Sequence, residues 1–520
     1  MSDAMQELVY TRYVIFLVML LVYLVHRYLE KRAERKEQDA FGEKMGCEPL
    51  PVMKTKWPLG IDVLFTASRH VKEQILLQFF MEIIDSTGLT HEQRILGKVQ
   101  YNTIEPKNIE AVLSTQFENF GFGKRTENFA PWLGSSIFTQ DGAAWKHSRA
   151  LLRPQLAANR EQNFNAIHDT LEDLIHTIKD DTVMDLQQLF YDLTLNTTLF
   201  LLFGSTMGYT KAGDRTGEDE DFAKAFQEAQ EYISHRGRLG EYYWLANSSK
   251  FKRACETTHR FIDRGIKEAL KDANNSATED EEKKCNTFID ALRRKTQDEK
   301  TIRDQCVAVL LAGRDTTACS IAWAFRLLVR HPRVLDKLRV EVRYTIGLGK
   351  ESPCPTRAIL KRMSYLDAFI KEVLRLYPVA PVNGRTAIRT TTLPVGGGPS
   401  GRSPFLVRKN EVIGYSVYAM HRRKDLYGED ALEFRPERWE DGTLFRSIGW
   451  GYLPFNGGPR VCLGQEYALL ELGYTIVRLI QCFPNMKLPE DEPVVDMGKE
   501  KQNLTLVLAP GDGCRVLMRS

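Results

Sequence analysis

The first hydrophobic pattern along the chain is a block. Tyr13 to Val25 (YVIFLVMLLVYLV) carries no charge, Leu8 to Tyr10 extend it, and Arg12 and Arg27 flank it. A membrane-crossing helix needs about 20 apolar residues, and long basic side chains at its ends can snorkel to the interfaces. Arg27, Lys31, Arg32, Arg35 and Lys36 follow directly, which predicts a single-pass anchor whose basic flank and body stay in the cytosol. A buried core helix would show the same run, but its terminal place and basic flank favour the anchor. No small-residue cleavage site follows it, which argues against a removed leader. Residues 28–44 are charged and helix-compatible. Pro49, Pro51 and Pro58 then break any helix before residue 60. The expected organisation is an anchor at 1–27, a juxtamembrane and proline-rich hinge at 28–60, and one large domain at 61–520.

Beyond residue 61 the apolar positions recur with helical period. Leu366, Phe369, Ile370, Val373 and Tyr377 mark one face of a helix that Pro378 stops, and a longer helix is predicted from about Arg303 to Arg330, closed by His331-Pro332. Alternation predicts strands at Val99-Tyr101-Thr103 and across Leu504 to Leu508. Asn274 to Lys284 reads as a solvated linker. No internal repeat occurs. The fold class is therefore mainly α with small β-sheets.

Charge and cysteine usage narrow the chemistry. With 71 Lys+Arg against 68 Asp+Glu the chain is nearly neutral, so nothing points to nucleic acid. The nine cysteines are scattered, odd in number and contain no C-x-x-C pair, which excludes zinc-ribbon and thioredoxin-type readings and suits a reducing compartment. Sequons at Asn196, Asn247, Asn274 and Asn503 are chance matches in a cytosolic body. Gly396 to Gly401 fits G-x-G-x-x-G formally, but Pro399 and Pro404 crowd it and no helix pattern follows, so it reads as a hairpin loop. The chain shows no nicotinamide or flavin site of its own.

The segment that carries chemistry is Phe455-Asn456-Gly457-Gly458-Pro459-Arg460-Val461-Cys462-Leu463-Gly464. Its glycines permit tight or positive-φ turns, and such a loop can aim backbone N–H groups at one sulfur, favouring the thiolate. A cysteine thiolate can serve as the axial ligand of a haem iron. A lone cysteine in a turn is more often a small buried hydrophobe, yet this spacing is restrictive. The segment resembles the haem-binding signature of the cytochrome P450 monooxygenases, F-x-x-G-x-R-x-C-x-G, at Phe455, Gly458, Arg460, Cys462 and Gly464. The resemblance covers roughly residues 60 to 515. It implies the triangular-prism haem-thiolate fold, haem b as cofactor, Cys462 on the iron, Phe455 packed on the ligand loop and Arg460 at a propionate.

Three further segments resemble the same family in the same order. Glu372 and Arg375, three apart on the predicted helix, and Pro436-Glu437-Arg438-Trp439 resemble its E-x-x-R and P-E-R-F motifs, which implies a structural Glu372–Arg375–Arg438 cluster. Ala312-Gly313-Arg314-Asp315-Thr316-Thr317 puts poor helix formers inside a long helix. It is similar to the oxygen-activation motif, which implies that Thr316 holds O2 and hands it a proton, Asp315 feeds protons from solvent, and Gly313 makes room. Trp145 and Arg149, one helical turn apart, resemble the pair that holds a propionate, and Arg385 is a further candidate.

Thr391-Thr392-Leu393-Pro394, His421 to Ala431 and Trp145 to Gln155 look most like the fungal branch that hydroxylates n-alkanes and fatty acids. Gly384 replaces a bulky residue expected in that branch. By analogy Phe120, Phe122, Leu310, Val379, Val382 and Leu506 line an apolar pocket. The resemblance implies a monooxygenase on the cytosolic face of the endoplasmic reticulum membrane. It would take O2, a hydrophobic substrate and electrons from NADPH–cytochrome P450 reductase, and hydroxylate near the terminal carbon. The alternatives are a member acting on another apolar molecule (a sterol, terpenoid, polyketide or xenobiotic), a haem-thiolate isomerase or dehydratase, and a non-catalytic haem- or lipid-binding protein.

Overall fold

In the computed structural model, residues 3–157, 160–205, 217–275 and 288–520 are described. Helices of eight or more residues are α1 (Asp3–Lys44), α2 (Ile61–Glu73), α3 (Leu76–Thr87), α4 (Arg125–Leu133), α5 (Gly142–Ala157), α6 (Arg160–Thr177), α7 (Leu186–Phe203), α8 (Glu218–Leu239), α9 (Ser249–Asn275), α10 (Glu299–Arg330), α11 (Pro332–Ile346), α12 (Ser364–Leu376) and α13 (Gln465–Cys482). Strands are β1 (Thr90–Ile95), β2 (Lys98–Thr103), β3 (Phe120–Gly121), β4 (Thr182–Asp185), β5 (Val382–Ala387), β6 (Thr391–Gly397), β7 (Ser403–Val407), β8 (Val412–Ser416), β9 (Gln502–Leu504), β10 (Leu508–Pro510) and β11 (Arg515–Met518). One five-stranded sheet has the order β1-β2-β8-β5-β3, with β2 and β8 parallel. The other strands form the pairs β10-β9, β11-β4 and β6-β7.

The apolar block lies in α1, which runs unbroken through the expected boundary at residue 27 and spans about 60 Å at 1.5 Å per residue. The stretch Tyr10–Lys44 is long and apolar enough to cross a membrane, and none of its most apolar 18-residue window is buried in the protein. Its last turn is clamped to β7: Asp39 pairs with Arg408 at 2.5 Å, and a Cβ on Gly42 would stand 3.2 Å from Leu406. The C-terminal end of α1 therefore docks directly on the body. The proline-rich segment connects the end of α1 to α2, with a short 3-10 turn at Pro58–Gly60.

Helix α10 is the axis of the core. Asp298 caps it by accepting from Lys300 N and Thr301 N, so it starts four residues before the expected Arg303. It packs on α7, α12 and α13, with Trp323 stacked on Tyr377 at 3.8 Å between ring centres. Burial of such large apolar side chains contributes roughly 1.5–3 kcal/mol each.

The strand expected across Leu504 to Leu508 is two strands. β9 ends at Leu504, Thr505 N donates to Val507 O at 3.1 Å, and β10 returns from Leu508. No Gly or Pro marks the reversal. It is held from outside, by Leu508 N to Val379 O at 2.9 Å and Trp323 Nε1 to Leu508 O at 3.0 Å. The expected β6–β7 hairpin around Gly396 to Gly401 is present. The linker expected at Asn274 to Lys284 begins in the last turn of α9 and otherwise lies outside the described residues.

Candidate active site

The Cys462 loop joins β8 to α13 through a chain of short turns. Gly458 has φ +64, and a Cβ there would sit 2.0 Å from Leu113 O, so only glycine fits this approach. Cys462 N donates to Phe455 O at 3.0 Å, Val461 N to Gly458 O at 3.0 Å, and Asn456 Nδ2 to Arg460 O at 3.2 Å. The loop thereby presents the thiol just before the N-terminus of α13, where the helix dipole favours negative charge. Cys462 is solvent-accessible yet surrounded by protein. Burial pushes its pKa up, while the Gly464 N–H and the Arg149 guanidinium pull it down.

Four guanidinia gather beside it. Arg460 lies over Phe122 at 4.0 Å and Trp145 at 4.3 Å, Arg385 over Phe122 at 4.9 Å, and Arg125 over Phe122 at 4.5 Å. Arg149 donates to Val461 O at 2.9 Å. Among the described residues one carboxylate answers them: Asp141, 2.7 Å from Arg460 Nη2, which also accepts from Phe122 N at 2.7 Å. Burial and then repulsion by Arg385 push Arg460 down to about 9 and Arg125 down to about 10. Clustered, desolvated positive charge of this kind needs anions. A haem with two propionates supplies them, and the accessible thiolate supplies its axial ligand, so the donor set fits that group. Arg125 and Asp141 had escaped the sequence analysis, because Lys124-Arg125 looks like any exposed helix start and Asp141 like an N-cap.

Glu372 is fully buried and its carboxylate accepts five hydrogen bonds. They come from Arg375 Nε and Nη2 (both 2.8 Å), Arg438 Nε (2.9 Å), Arg435 N (2.9 Å) and Trp439 Nε1 (2.9 Å). Arg375 donates onward to the His421 carbonyl at 2.8 Å. Buried His421 is pushed down to about 3 and stays neutral, so Nδ1–H meets Arg375 O at 3.0 Å while Nε2 accepts from Leu453 N at 2.9 Å. The expected triad thus exists, and it reaches the start of the Cys462 loop through an imidazole.

In the centre of α10 three successive even-numbered carbonyls accept hydroxyls. Thr316 Oγ1 donates to Ala312 O at 2.6 Å, Thr194 Oγ1 to Arg314 O at 2.7 Å, and Ser320 Oγ to Thr316 O at 2.9 Å. Such bonds compete with the helix ladder and loosen it locally. Gly313 serves a different contact from the one expected. A Cβ there would lie 2.4 Å from Thr198 Oγ1, so the room it leaves is filled by α7. Asp315 is 1% exposed and paired with Arg314 at 2.8 Å. Burial raises its pKa against the pull of Arg314 and Gln230. It is sealed from solvent, so a proton path from outside must first part this pair.

Of the residues expected around the substrate, Val382 and Leu506 are partly accessible, and Val379 is buried against Cys319 and Val507. Phe120 is buried among β-sheet residues, Phe122 belongs to the arginine cluster, and Leu310 has no accessible surface within the cluster of Trp132, Phe226 and Leu202. Gly384 pairs with Gly414 across β5 and β8, and a Cβ there would press on Ile413 O at 3.2 Å. The glycine thus relieves a strand contact. A further buried acid, Glu471 on α13, accepts from Thr197 Oγ1 at 2.6 Å. Burial pushes it up to about 8 although Thr197 and Thr317 oppose the shift.

The sequence model of the cytochrome P450 family matches residues 51–512. The chain belongs to the cytochrome P450 family. It is 52% identical over 488 residues to a cytochrome P450 of Arthroderma benhamiae, covering 94% of this chain and 95% of that one. It is 38% identical to cytochrome P450 52A12 of Debaryomyces hansenii, covering 92% and 93%, and 36% identical to cytochrome P450 52A5 of Candida maltosa, covering 98% and 97%. As a cytochrome P450 monooxygenase it binds haem b through a cysteine thiolate and works with O2, a reductase partner and a hydrophobic substrate.

Proposed function

We propose that this cytochrome P450 hydroxylates long unbranched hydrophobic chains, n-alkanes or fatty acids, near the terminal carbon. The stoichiometry is RH + O2 + 2 e⁻ + 2 H⁺ → ROH + H2O, with both electrons passed from NADPH by NADPH–cytochrome P450 reductase. The single observation that carries the assignment of the site is the accessible Cys462 thiol beside four guanidinia that face, among the described residues, one carboxylate, the Asp141 paired with Arg460. In this reading Cys462 ligates the haem, Arg149, Arg385, Arg460 and the newly found Arg125 hold its propionates, and Phe455, Gly458 and Trp145 shape the cradle. The bound haem supplies O2 activation, favoured by thiolate donation.

The chain's own residues position substrate and move protons. The Thr316 hydroxyl gives its one proton to Ala312 O in the helix as it stands; on turning away from that carbonyl it would serve as the proton donor to dioxygen once the electrons have arrived. Gly313 lets α7 close on α10 at that point. Asp315 is the second proton donor once it leaves Arg314. The apolar Val379, Val382 and Leu506 exclude water and orient a chain end. The substrate class is supported by the stretches resembling the fungal hydroxylase branch and by the relatives named cytochrome P450 52A. The exposed apolar α1 with its basic flank supports single-pass anchoring in the endoplasmic reticulum with the body in the cytosol.

The test is reconstitution with the reductase and NADPH on hexadecane and hexadecanoate. Terminally hydroxylated product from either supports the reading. A competent, carbon monoxide-responsive enzyme that turns over only ring-fused substrates refutes it.

A further inference from the structure

We infer that His168, Glu172 and Cys354 form a zinc site that ties α6 to the segment joining α11 and α12. Their ligand atoms all lie within 4.8 Å of one another, and all three side chains are partly accessible, so an ion can reach them. His168 and Glu172 are four residues apart on α6 and therefore share one face of that helix. Cys354 arrives from the joining segment, which the end of α13 holds by several bonds. Gln481 Nε2 donates to Pro353 O at 3.0 Å and to Gly347 O at 3.3 Å. Gly349 N donates to Gln481 O at 2.8 Å, and Arg478 Nη2 to Lys350 O at 3.3 Å. The site stands apart from the haem-ligand loop. Tyr474, beside it, lies about 14 Å along α13 from Gln465 at 1.5 Å per residue.

A thiolate, an imidazole and a carboxylate are the donor set of a four-coordinate zinc that keeps one position for water. Tetrahedral bonds of about 2.0–2.3 Å set ligand atoms about 3.5 Å apart, so side-chain adjustments of roughly 1 Å close the site. The outer contacts that orient such ligands are already in place. The Tyr474 hydroxyl is 2.6 Å from His168 Nδ1, a contact that sets the orientation and tautomer of the ring. Arg478 holds Glu172 through Nε at 2.6 Å and Nη2 at 3.0 Å. Burial raises the Glu172 pKa, but Arg478, then His168 and His176, outweigh it and hold the group below its ordinary value, as an anion. A carboxylate has about four lone-pair sites, so two bonds to Arg478 leave room for a metal bond. Cys482, one turn beyond Arg478, is buried and pushed up to about 11, which leaves the partly accessible Cys354 as the thiol that binds. Binding takes a zinc ion from solution and releases the Cys354 proton to solvent, with no electron transferred.

The experiment uses the full-length, detergent-solubilised holoenzyme, stripped of loosely held metal with a chelator and dialysed against zinc chloride alone. Wild type should retain one zinc per chain by elemental analysis. Zinc-edge X-ray absorption should show one sulfur at about 2.3 Å and nitrogen or oxygen at about 2.0–2.2 Å. Calorimetry in two buffers of different ionisation heat should count about one proton released per zinc. Zinc should raise the melting temperature of wild type and not that of the ligand variants. Cys354→Ser and His168→Gln should each weaken zinc by about a hundredfold or more with the thiolate-type carbon monoxide spectrum intact, and Tyr474→Phe, which keeps every ligand, by about 10- to 100-fold. Cys47→Ser, at a partly exposed cysteine outside the site, should bind as wild type does. A wild type that takes up no zinc, or a zinc that Cys354→Ser holds as tightly as wild type, overturns the inference. Should the ligand variants fail to load haem, the wild-type absorption spectrum decides, and a zinc shell without sulfur overturns the inference as well.

Discussion

Glu372→Gln is the sharpest probe of how the core is held, because it removes one charge and almost no volume. In either amide orientation the NH2 faces at least two buried donors: Arg375 Nε and Trp439 Nε1 on one side, or Arg375 Nη2, Arg438 Nε and Arg435 N on the other. Each orphaned buried donor costs about 1–3 kcal/mol. The two arginines are not equally exposed to the loss. Arg438 keeps Asp430 at 3.2 Å, whereas Arg375 has Glu372 as its carboxylate and otherwise only the carbonyls of His421, Ala431 and Glu433. A fully buried charge stripped of its partner costs roughly 3–5 kcal/mol, a large share of a typical ~5–15 kcal/mol stability. At an unfolding entropy of about 2.1 cal/mol/K per residue, thermal melts of the detergent-purified full chain should show a fall of roughly 3–5 °C, together with a reduced haem-to-protein ratio as the His421 link to the Cys462 loop loosens. Asp430→Asn, at the partly exposed end of the cluster, should cost clearly less. Glu372→Gln protein that melts within about 1 °C of wild type with full haem would refute the argument that this carboxylate holds the site.

Other substitutions isolate other contacts. Gly458→Ala would drive a Cβ to 2.0 Å from Leu113 O at positive φ, so haem incorporation should collapse while far-ultraviolet dichroism stays helical; normal haem loading would contradict the packing. Cys462→Ala should abolish the strongly red-shifted Soret band of the reduced carbon monoxide complex, and its persistence would remove Cys462 as the ligand. Thr316→Ala should uncouple NADPH consumption from product while Thr316→Ser restores coupling; unchanged product per NADPH in the alanine variant would end the proton-donor role. Glu471, raised to about 8, binds its proton in the folded state while the unfolded chain releases it from pH ~4.5 upward, so wild-type stability falls across that window. Glu471→Gln should flatten that loss, with a stability difference from wild type growing to roughly 4–5 kcal/mol by pH 8. A difference that does not change with pH would refute the buried, protonated acid.

The sequence by itself determined the apolar N-terminal helix, the order of the motifs and the family to which they belong. Each of these rests on local chemistry: an uncharged run, a glycine-crowded turn, poor helix formers inside a helix. The same local logic misread what depends on neighbours far along the chain. Leu504 to Leu508 alternates like one strand, yet contacts from Val379 and Trp323 fold it into a hairpin. Gly313 is expected to make room at the oxygen site, but the helix packed against it occupies that space, and Gly384 relieves a contact with the neighbouring strand. Leu310 carries the right polarity for a pocket and sits in the core, because polarity alone does not say which face of α10 meets which partner. Arg125 and Asp141 look like ordinary surface charges in the sequence. Only the tertiary structure shows that both join the arginine cluster beside Phe122, since a charge gains chemical meaning from the opposite charges around it, and these are set by long-range packing.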